Sequence, residues 1–543
     1  MIALLAMMTA LVISIALTPL MIRLAPRLGM VDMPDPRKVH AVPVPRVGGL
    51  GIAVGTLIGV LLFVPIDTLI ACYLFGALVL IAFGAADDSR ELGHYVKFIG
   101  QFIAVIPIVW FGDLWVNTLP VIDVALPAWI GMPFTVIAII GVINAINHSD
   151  GLDGLASGEA LMSFAAIGYL AFLAGNAQCL AFAAAAAGGI LGFLRYNTHP
   201  ARVFMGDAGS QFIGYTLGVM VVLLTQKVNP ALSMAIPALL IGLPIIDIIA
   251  VFAQRIHGGM NWFKATRNHI HHRLLAIGFQ HYQAVLIIYT IQAVMVVNAI
   301  NLAYEADLVI IGLYLLLSAL VFAGLIAAER TGWRADIGGR KWLVLGILDS
   351  IHDSDVVAVL PRWFVTVSIP AFLVAATFAV DAPARDLTVA LGLIAAMLLA
   401  YVFLRKGWQG EYLSRLAVYA LVPLLVWSCE LNWQVHGSGP WMFSGYFFGV
   451  LGLCVLMAAK FASDRDQFAP NTMDFLLVLF VLIAGVVLGS GASDTARLGS
   501  LLVQIVVLFY GCELIMRMSR AGADLLAAAS AVSVALIAAR ILL

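Results

Sequence analysis

Residues 128–174 read AWIGMPFTVIAIIGVINAINHSDGLDGLASGEALMSFAAIGYLAFLA. Two apolar runs, 128–146 and 155–174, flank a polar junction, NAINHSDGLDGLASG, from Asn144 to Gly158. About 20 mostly apolar residues cross the hydrocarbon core of a bilayer, so each run is long enough to be a membrane span and the junction lies at a membrane edge. A plain connector needs only a short turn. This one carries Asn144, Asn147, Asp150, Asp153 and three glycines, more polar chemistry than a turn requires.

The same alternation extends outward over the whole chain. Of 543 residues, 63% are hydrophobic and 11% charged, against roughly 45–50% and about 25% in a soluble domain. A soluble globular enzyme is excluded. The chain divides into 18 apolar runs, from 2–22 to 522–541, with the ninth at 233–254 and the sixteenth at 473–489. The predicted fold is all-α and polytopic, with about 18 transmembrane helices. The first run lacks a small-residue cleavage site and reads as a retained helix, not a signal peptide. Cys72, Cys179, Cys429, Cys454 and Cys512 include no CxxC pair and sit in or at the end of apolar runs, so they read as packing residues. A net charge of −1 gives no reason to expect a nucleic-acid partner.

Charge matters by position. Cytoplasmic loops carry an excess of Lys and Arg, and an N-out, C-out arrangement puts every basic residue except Lys227, Arg385, Arg497 and Arg540 on the cytoplasmic side or its boundary. The expected setting is the cytoplasmic (inner) membrane. Residues 1–330, about 11 spans, concentrate polar residues in long loops on that one face. Residues 331–362 read as an amphipathic cytoplasmic linker, and 363–543 as seven further spans with ordinary loops and no assignable role.

Carboxylates at membrane depth are costly and therefore candidates for function. Asp87 and Asp88 end the third run, and Lys97 and Gln101 follow on one face of the next. Asn144 and Asn147, like Asp150 and Asp153, are three apart and share a helical face if the spans extend through them. In RYNTHPARVFMGDAGS, Asn197, Arg202 and Asp207 precede another span. Asp207 reads either as an N-cap or as a hard oxygen ligand beside helix-start N–H groups that favour phosphate. The segment RNHIHHRL supplies His269, His271, His272 and Arg273, better suited to a nucleotide diphosphate than to zinc, since no Cys accompanies them. The first loop, DPRKVHAVPVPRVGG, adds Lys38, His40 and Arg46, either as anion donors or as positive-inside charge alone. Asp247, deep in the ninth run, is either a structural hydrogen-bonding group or a catalytic one.

PRKVHAVPVPRVGG, the DD pair followed by Lys and Gln, NAINHSDGLDGLASG, FMGDAGS and HIHHRL occur in the order seen in the polyprenyl-phosphate N-acetylhexosamine-1-phosphate transferase superfamily, and the sequence over residues 1–330 resembles that family. HIHHRL is closer to the WecA-like than to the MraY-like branch. His148-Ser149 departs from the usual apolar pair. The resemblance implies transfer of a sugar 1-phosphate, GlcNAc-1-phosphate being the favoured case, from a UDP-N-acetylhexosamine to undecaprenyl (polyprenyl) phosphate, releasing UMP. It implies Mg²⁺, with Mn²⁺ as the substitute. It makes Asp207 the metal ligand, with Asp150, and Asp87, Asp88, Lys97, Asp150 and Asp153 the catalytic candidates. Lys38, His40, Arg46, Asn144, Asn147, Asn197, Arg202, His269, His271, His272 and Arg273 are the substrate-binding candidates. A homodimer, and downstream glycosyltransferases or a flippase docked on the C-terminal region, are the protein partners considered. The alternative function is a transporter or lipid flippase using the buried carboxylates.

Overall fold

The computed structural model describes residues 2–34, 42–121, 124–259, 268–335, 355–380, 385–404, 408–436, 445–460 and 493–542. These fall into two compact units, one up to Ala335 and one from Asp355 onward. Among the described residues nine helices are long and apolar enough to cross a membrane.

The first unit contains α1 (Ile2–Leu28), a short antiparallel pair β1 (Val31–Asp32) and β2 (Val44–Pro45), α2 (Gly48–Phe63), α3 (Thr68–Arg90), α4 (His94–Trp110), α5 (Ala128–Ser149), α6 (Leu155–Leu173), α7 (Ala177–Asn197) and α8 (Gly206–Leu223). It continues with α9 (Ile236–Leu240), α10 (Gly242–His257), α11 (Ile270–Ile277), α12 (His281–Asn301) and α13 (Asp307–Thr331). In the pair, Val31 lies opposite Pro45 and Asp32 opposite Val44.

α8 is the central pillar. With its π-helical extension to Val228, 94% of its apolar window is buried, against 22% for α13 at the periphery. It packs on α2, α3, α5 and α6. The start of α2 meets the start of α8 backbone to backbone: Gly48 N–H donates to Phe204 O at 2.9 Å and Gly49 N–H to Met205 O at 2.8 Å. Two orphan donors of α2 are thus satisfied by the segment that leads into α8. A Cβ on Gly49 would run into the Gly209 backbone. Gly49→Ala is therefore expected to cost about 1–3 kcal/mol and to lower the melting temperature of the detergent-solubilised protein. An unchanged melting curve would show that the two helix starts can part without penalty.

The expected ninth span is corrected. Instead of one helix over 233–254 there are two, α9 and α10, separated at Ile241, whose φ of −117° and ψ of 20° are not helical. Pro244 supplies the cause: it has no N–H, and its ring clashes with the carbonyl four residues back, at Leu240. Breaking a helix within an apolar environment frees backbone groups that need partners. The fully buried Gln292 of α12 provides them, its Nε2 donating to Leu240 O at 2.9 Å and its Oε1 accepting from Leu243 N–H at 3.4 Å.

The second unit contains α14 (Asp355–Ala376), α15 (Arg385–Leu404), α16 (Trp408–His436), α17 (Gly445–Lys460), α18 (Ser493–Met518) and α19 (Arg520–Leu542). Phe372, Leu421, Phe448, Leu508 and Leu526 come from five of these helices into one apolar core. Glu513 of α18 is held by the Tyr419 hydroxyl at 2.6 Å and by Arg415 at 3.3 Å, both from α16. α14 begins within the expected linker, and the expected span 473–489 lies outside the described residues. All five cysteines are free thiols.

Candidate active site

Asp87 and Asp88 occupy the last turn of α3, where the helix dipole disfavours negative charge. Both are buried, and each has a compensating partner from elsewhere in the chain. Asp88 accepts from Asp207 N–H at 2.8 Å and Ala208 N–H at 3.1 Å, capping α8 from outside the helix. This excludes the reading of Asp207 as an N-cap: Asp207 lies in the first turn, the residue at the cap position is Met205 with no side-chain bond, and the capping carboxylate belongs to Asp88. Gly206 makes room for it. Its φ of +72° suits glycine, and a Cβ there would meet the Asp88 carboxylate at 2.6 Å.

Asp87 turns instead toward Lys97, which α4 presents one turn after its start; Lys97 Nζ lies 2.6 Å from Asp87 Oδ2 and also contacts Asp207 Oδ2. The other Asp207 oxygen accepts from Asn147 Nδ2 at 2.9 Å, and the same amide reaches Ser210 Oγ at 2.7 Å. Asn144, one turn earlier on α5, donates to Gln101 Oε1 at 2.9 Å, and Gln101 contacts Gln211 at 3.4 Å. Residues scattered from 87 to 211 therefore converge where α3, α4, α5 and α8 meet, and Asp87, Lys97, Asn144, Asn147 and Asp207 are among them.

Asp150 follows α5 directly. Burial, and then the carboxylates of Asp207, Asp153 and Asp88, push its pKa up to about 7. α5 ends at Ser149, and residues 150–154 turn away, so Asp150 and Asp153 do not share a helical face. The His271 ring lies directly against Gly151, so this glycine accommodates an imidazole. Burial and the neighbouring His272, His269 and His281 hold His271 well below the usual histidine range, leaving it a neutral donor–acceptor. Asp247 resolves as a positioning group: its Oδ2 lies 2.8 Å from His269 Nδ1, and its Oδ1 accepts from Ile270 N–H at 2.8 Å. Because a carboxylate only accepts, Nδ1 carries the proton and Nε2 is left for other partners. His148 stacks on His269, with ring centroids 5.5 Å apart, and His271 and His272 rings are 4.2 Å apart.

Several candidates have other commitments. Arg273 forks onto Glu329 of α13, with both bonds at 2.7–2.8 Å, and so ties α11 to α13. Asn197 spends its amide on the chain, accepting from Gly154 N–H at 2.9 Å and donating to Val203 O at 2.8 Å. Arg46 pairs with Asp32 of the β-pair beside the Asp88 cap, and Arg202 is exposed on the loop before α8. Asp153 is drawn to His199, Ala201 and His281. Lys38 and His40 lie outside the described residues. Sequence reasoning missed His199, His281 and Glu159; Glu159, buried in α6, accepts from Ser149 Oγ and so anchors the end of α5. An acidic residue in an apolar run was the available signal for Glu159, and none marked the two histidines.

The donor set suits a hard divalent cation. Asp87, Asp207 and Asp150 offer carboxylate oxygens, the type Mg²⁺ prefers, and buried Asp87 Oδ1 has no hydrogen-bond partner among the described residues. One ammonium, Lys97, serves two carboxylates and leaves the cluster net negative.

The family model described as glycosyl transferase family 4 matches residues 70–225, which span α3 to the end of α8. A probable undecaprenyl-phosphate N-acetylglucosaminyl 1-phosphate transferase of Bacillus subtilis is 35% identical over 330 residues, covering 60% of this chain and 91% of that protein. The undecaprenyl-phosphate alpha-N-acetylglucosaminyl 1-phosphate transferase of Escherichia coli K12 is 32% identical over 49% of this chain and 74% of its own length. The decaprenyl-phosphate N-acetylglucosaminephosphotransferase of Mycobacterium tuberculosis H37Rv is 32% identical over 52% and 78%.

Proposed function

The chain belongs to the polyprenyl-phosphate N-acetylglucosamine-1-phosphate transferases of glycosyl transferase family 4, and on that premise we propose that it transfers GlcNAc-1-phosphate from UDP-GlcNAc to undecaprenyl phosphate. The observation that carries the reading is the convergence of Asp87, Lys97, Asn147 and Asp207 at one end of the helix bundle. The transport alternative lacks a comparable feature: these groups lie at helix ends, whereas a transporter site belongs at the midplane.

Both substrates are polyanions, and a carboxylate cluster repels them unless a cation intervenes. Asp207, Asp150 and Asp87 would hold Mg²⁺, with Mn²⁺ as substitute, and bound there it would neutralise charge developing on the phosphate oxygens. The chain's own residues do the rest. Lys97 supplies a fixed positive charge beside Asp87 and Asp207. Asn147 and Asp88 hold Asp207 from its side chain and its backbone. Asp247 orients His269, and His269, His271 and His272 receive the nucleotide sugar.

The lipid phosphate, whose second pKa lies near 6, is largely dianionic at neutral pH and attacks the β-phosphorus directly. The bond from that phosphorus to the bridging oxygen breaks, UMP leaves with the electron pair, and no covalent enzyme intermediate forms. Reaction is at the cytoplasmic edge of the inner membrane, in the N-out, C-out orientation, and is assigned to the first unit.

Asp150 gives this reading a pH signature. A carboxyl with a pKa of about 7 must lose its proton to ligate a metal, so Mg²⁺ affinity falls about tenfold per pH unit below 7 and levels off above it. Asp150→Asn flattens that slope near pH 7; a wild-type affinity independent of pH between 5.5 and 8 excludes Asp150 as a ligand, measured as the Mg²⁺ dependence of turnover at ~0.5-unit intervals. The reaction itself is tested by UMP release from purified protein supplied with Mg²⁺, undecaprenyl phosphate and a panel of UDP-N-acetylhexosamines. Release with UDP-GlcNAc is expected, and a folded sample inactive with every donor overturns the assignment.

A further inference from the structure

Three elements meet at a second cluster, built from side chains other than those around Lys97. The loop after α5 brings Asp153, the loop after α7 brings His199, and the first residue of α12 is His281. One ligand atom from each lies within 4.8 Å of the other two. His199 Nδ1 is 2.7 Å and His281 Nε2 3.9 Å from Asp153 Oδ2. The two imidazole rings stack with centroids 4.2 Å apart and planes inclined by 22°.

Hydrogen bonding accounts for this arrangement only in part. His281 Nε2 accepts from the Asp153 N–H at 3.0 Å, so its proton resides on Nδ1, and an ion bound at Nε2 takes the lone pair over from that N–H. That Nδ1 is buried without a partner among the described residues. His281 therefore holds an unprotonated nitrogen beside Asp153, the form that metal ligation requires.

We propose that Asp153, His199 and His281 bind one borderline transition-metal ion of the Zn²⁺ class. Two imidazoles and a carboxylate are a donor set for Zn²⁺, unlike the all-oxygen set suited to Mg²⁺. With metal–ligand bonds of about 2.0–2.1 Å, a tetrahedral site places neighbouring ligand atoms roughly 3.3 Å apart. The two distances to Asp153 Oδ2, 2.7 and 3.9 Å, bracket that spacing, and all three ligand atoms lie within 4.8 Å of one another. His199, with 42% of its side chain exposed, leaves the site open to solvent for entry of the ion and for a fourth, water ligand. Occupancy ties the loop that delivers Asp207 to the start of α12 and goes beyond the transferase reading.

The test uses the full-length protein with Mg²⁺ saturating, so that hard-metal positions are filled. Co²⁺ titrated into the wild type is expected to give the intense visible bands of a four-coordinate ion at one equivalent, displaced by Zn²⁺. Zn²⁺ retained after gel filtration should likewise be one equivalent by elemental analysis. His199→Ala and His281→Ala are each expected to lose both signals. His199→Ala guards against a folding artefact because its ring faces solvent, and an unchanged melting curve documents this. Wild type that retains no ion, or bands that persist in both variants, overturns the proposal; persistence would place the ion at His269, His271 and His272.

Discussion

Asp207→Asn should lower Mg²⁺-dependent turnover about 10³-fold, on the order of 4 kcal/mol of transition-state stabilisation, with the protein still folded. The substitution keeps the shape and one side-chain oxygen, so the 2.9 Å bond from Asn147 survives. The backbone N–H that docks on Asp88 is untouched. What disappears is the charge at the position where Lys97 and Asn147 converge. The measurement is UMP release against Mg²⁺ concentration, alongside a melting curve. Activity within tenfold of wild type at saturating Mg²⁺ would displace Asp207 as a metal ligand; a collapsed melting curve would instead make it structural.

Lys97→Met should separate two effects that a single loss of activity would conceal. Lys97 neutralises Asp87 and Asp207 together. Without the ammonium both carboxylates are free to bind a cation, so less Mg²⁺ should be needed for half-maximal activity. The fixed positive charge beside the reacting phosphates is also gone, and turnover at saturating Mg²⁺ should fall about 10²-fold, the range seen when one preorganised electrostatic donor is removed. Lys97→Arg keeps the charge but replaces a compact ammonium by a planar fork, and should recover part of the rate. If Lys97→Met needs more Mg²⁺ than wild type, the lysine assists cation binding and does not compete with it.

Much of the fold was legible because bilayer physics is severe. Every expected span that lies in the described residues carries helix, and the boundaries differ mostly where helices extend past the apolar run, as α3 does through Asp87 and Asp88 to Arg90. The break at Ile241 was hidden for a physical reason. The stretch stays apolar throughout, so hydropathy reports one run, while the buried Gln292 that repairs the gap lies on a different helix, far along the chain from Pro244. The carboxylates and amides were legible as a set because polar groups at a membrane edge need a purpose. Their division of labour was not.

Composition and order alone determined that this is a helical membrane protein whose chemistry lies in polar segments between spans, and they singled out Asp87, Lys97, Asn147 and Asp207. Only the tertiary structure decided that Asp88 caps a helix 119 positions away, that Asp247 orients His269, that Arg273 is taken by Glu329, and that Asp153 joins two unremarked histidines. Hydrophobicity is a property each residue carries with it, so a span can be read locally. A carboxylate's role depends on which donors the fold brings within about 3 Å, and those come from distant parts of the chain.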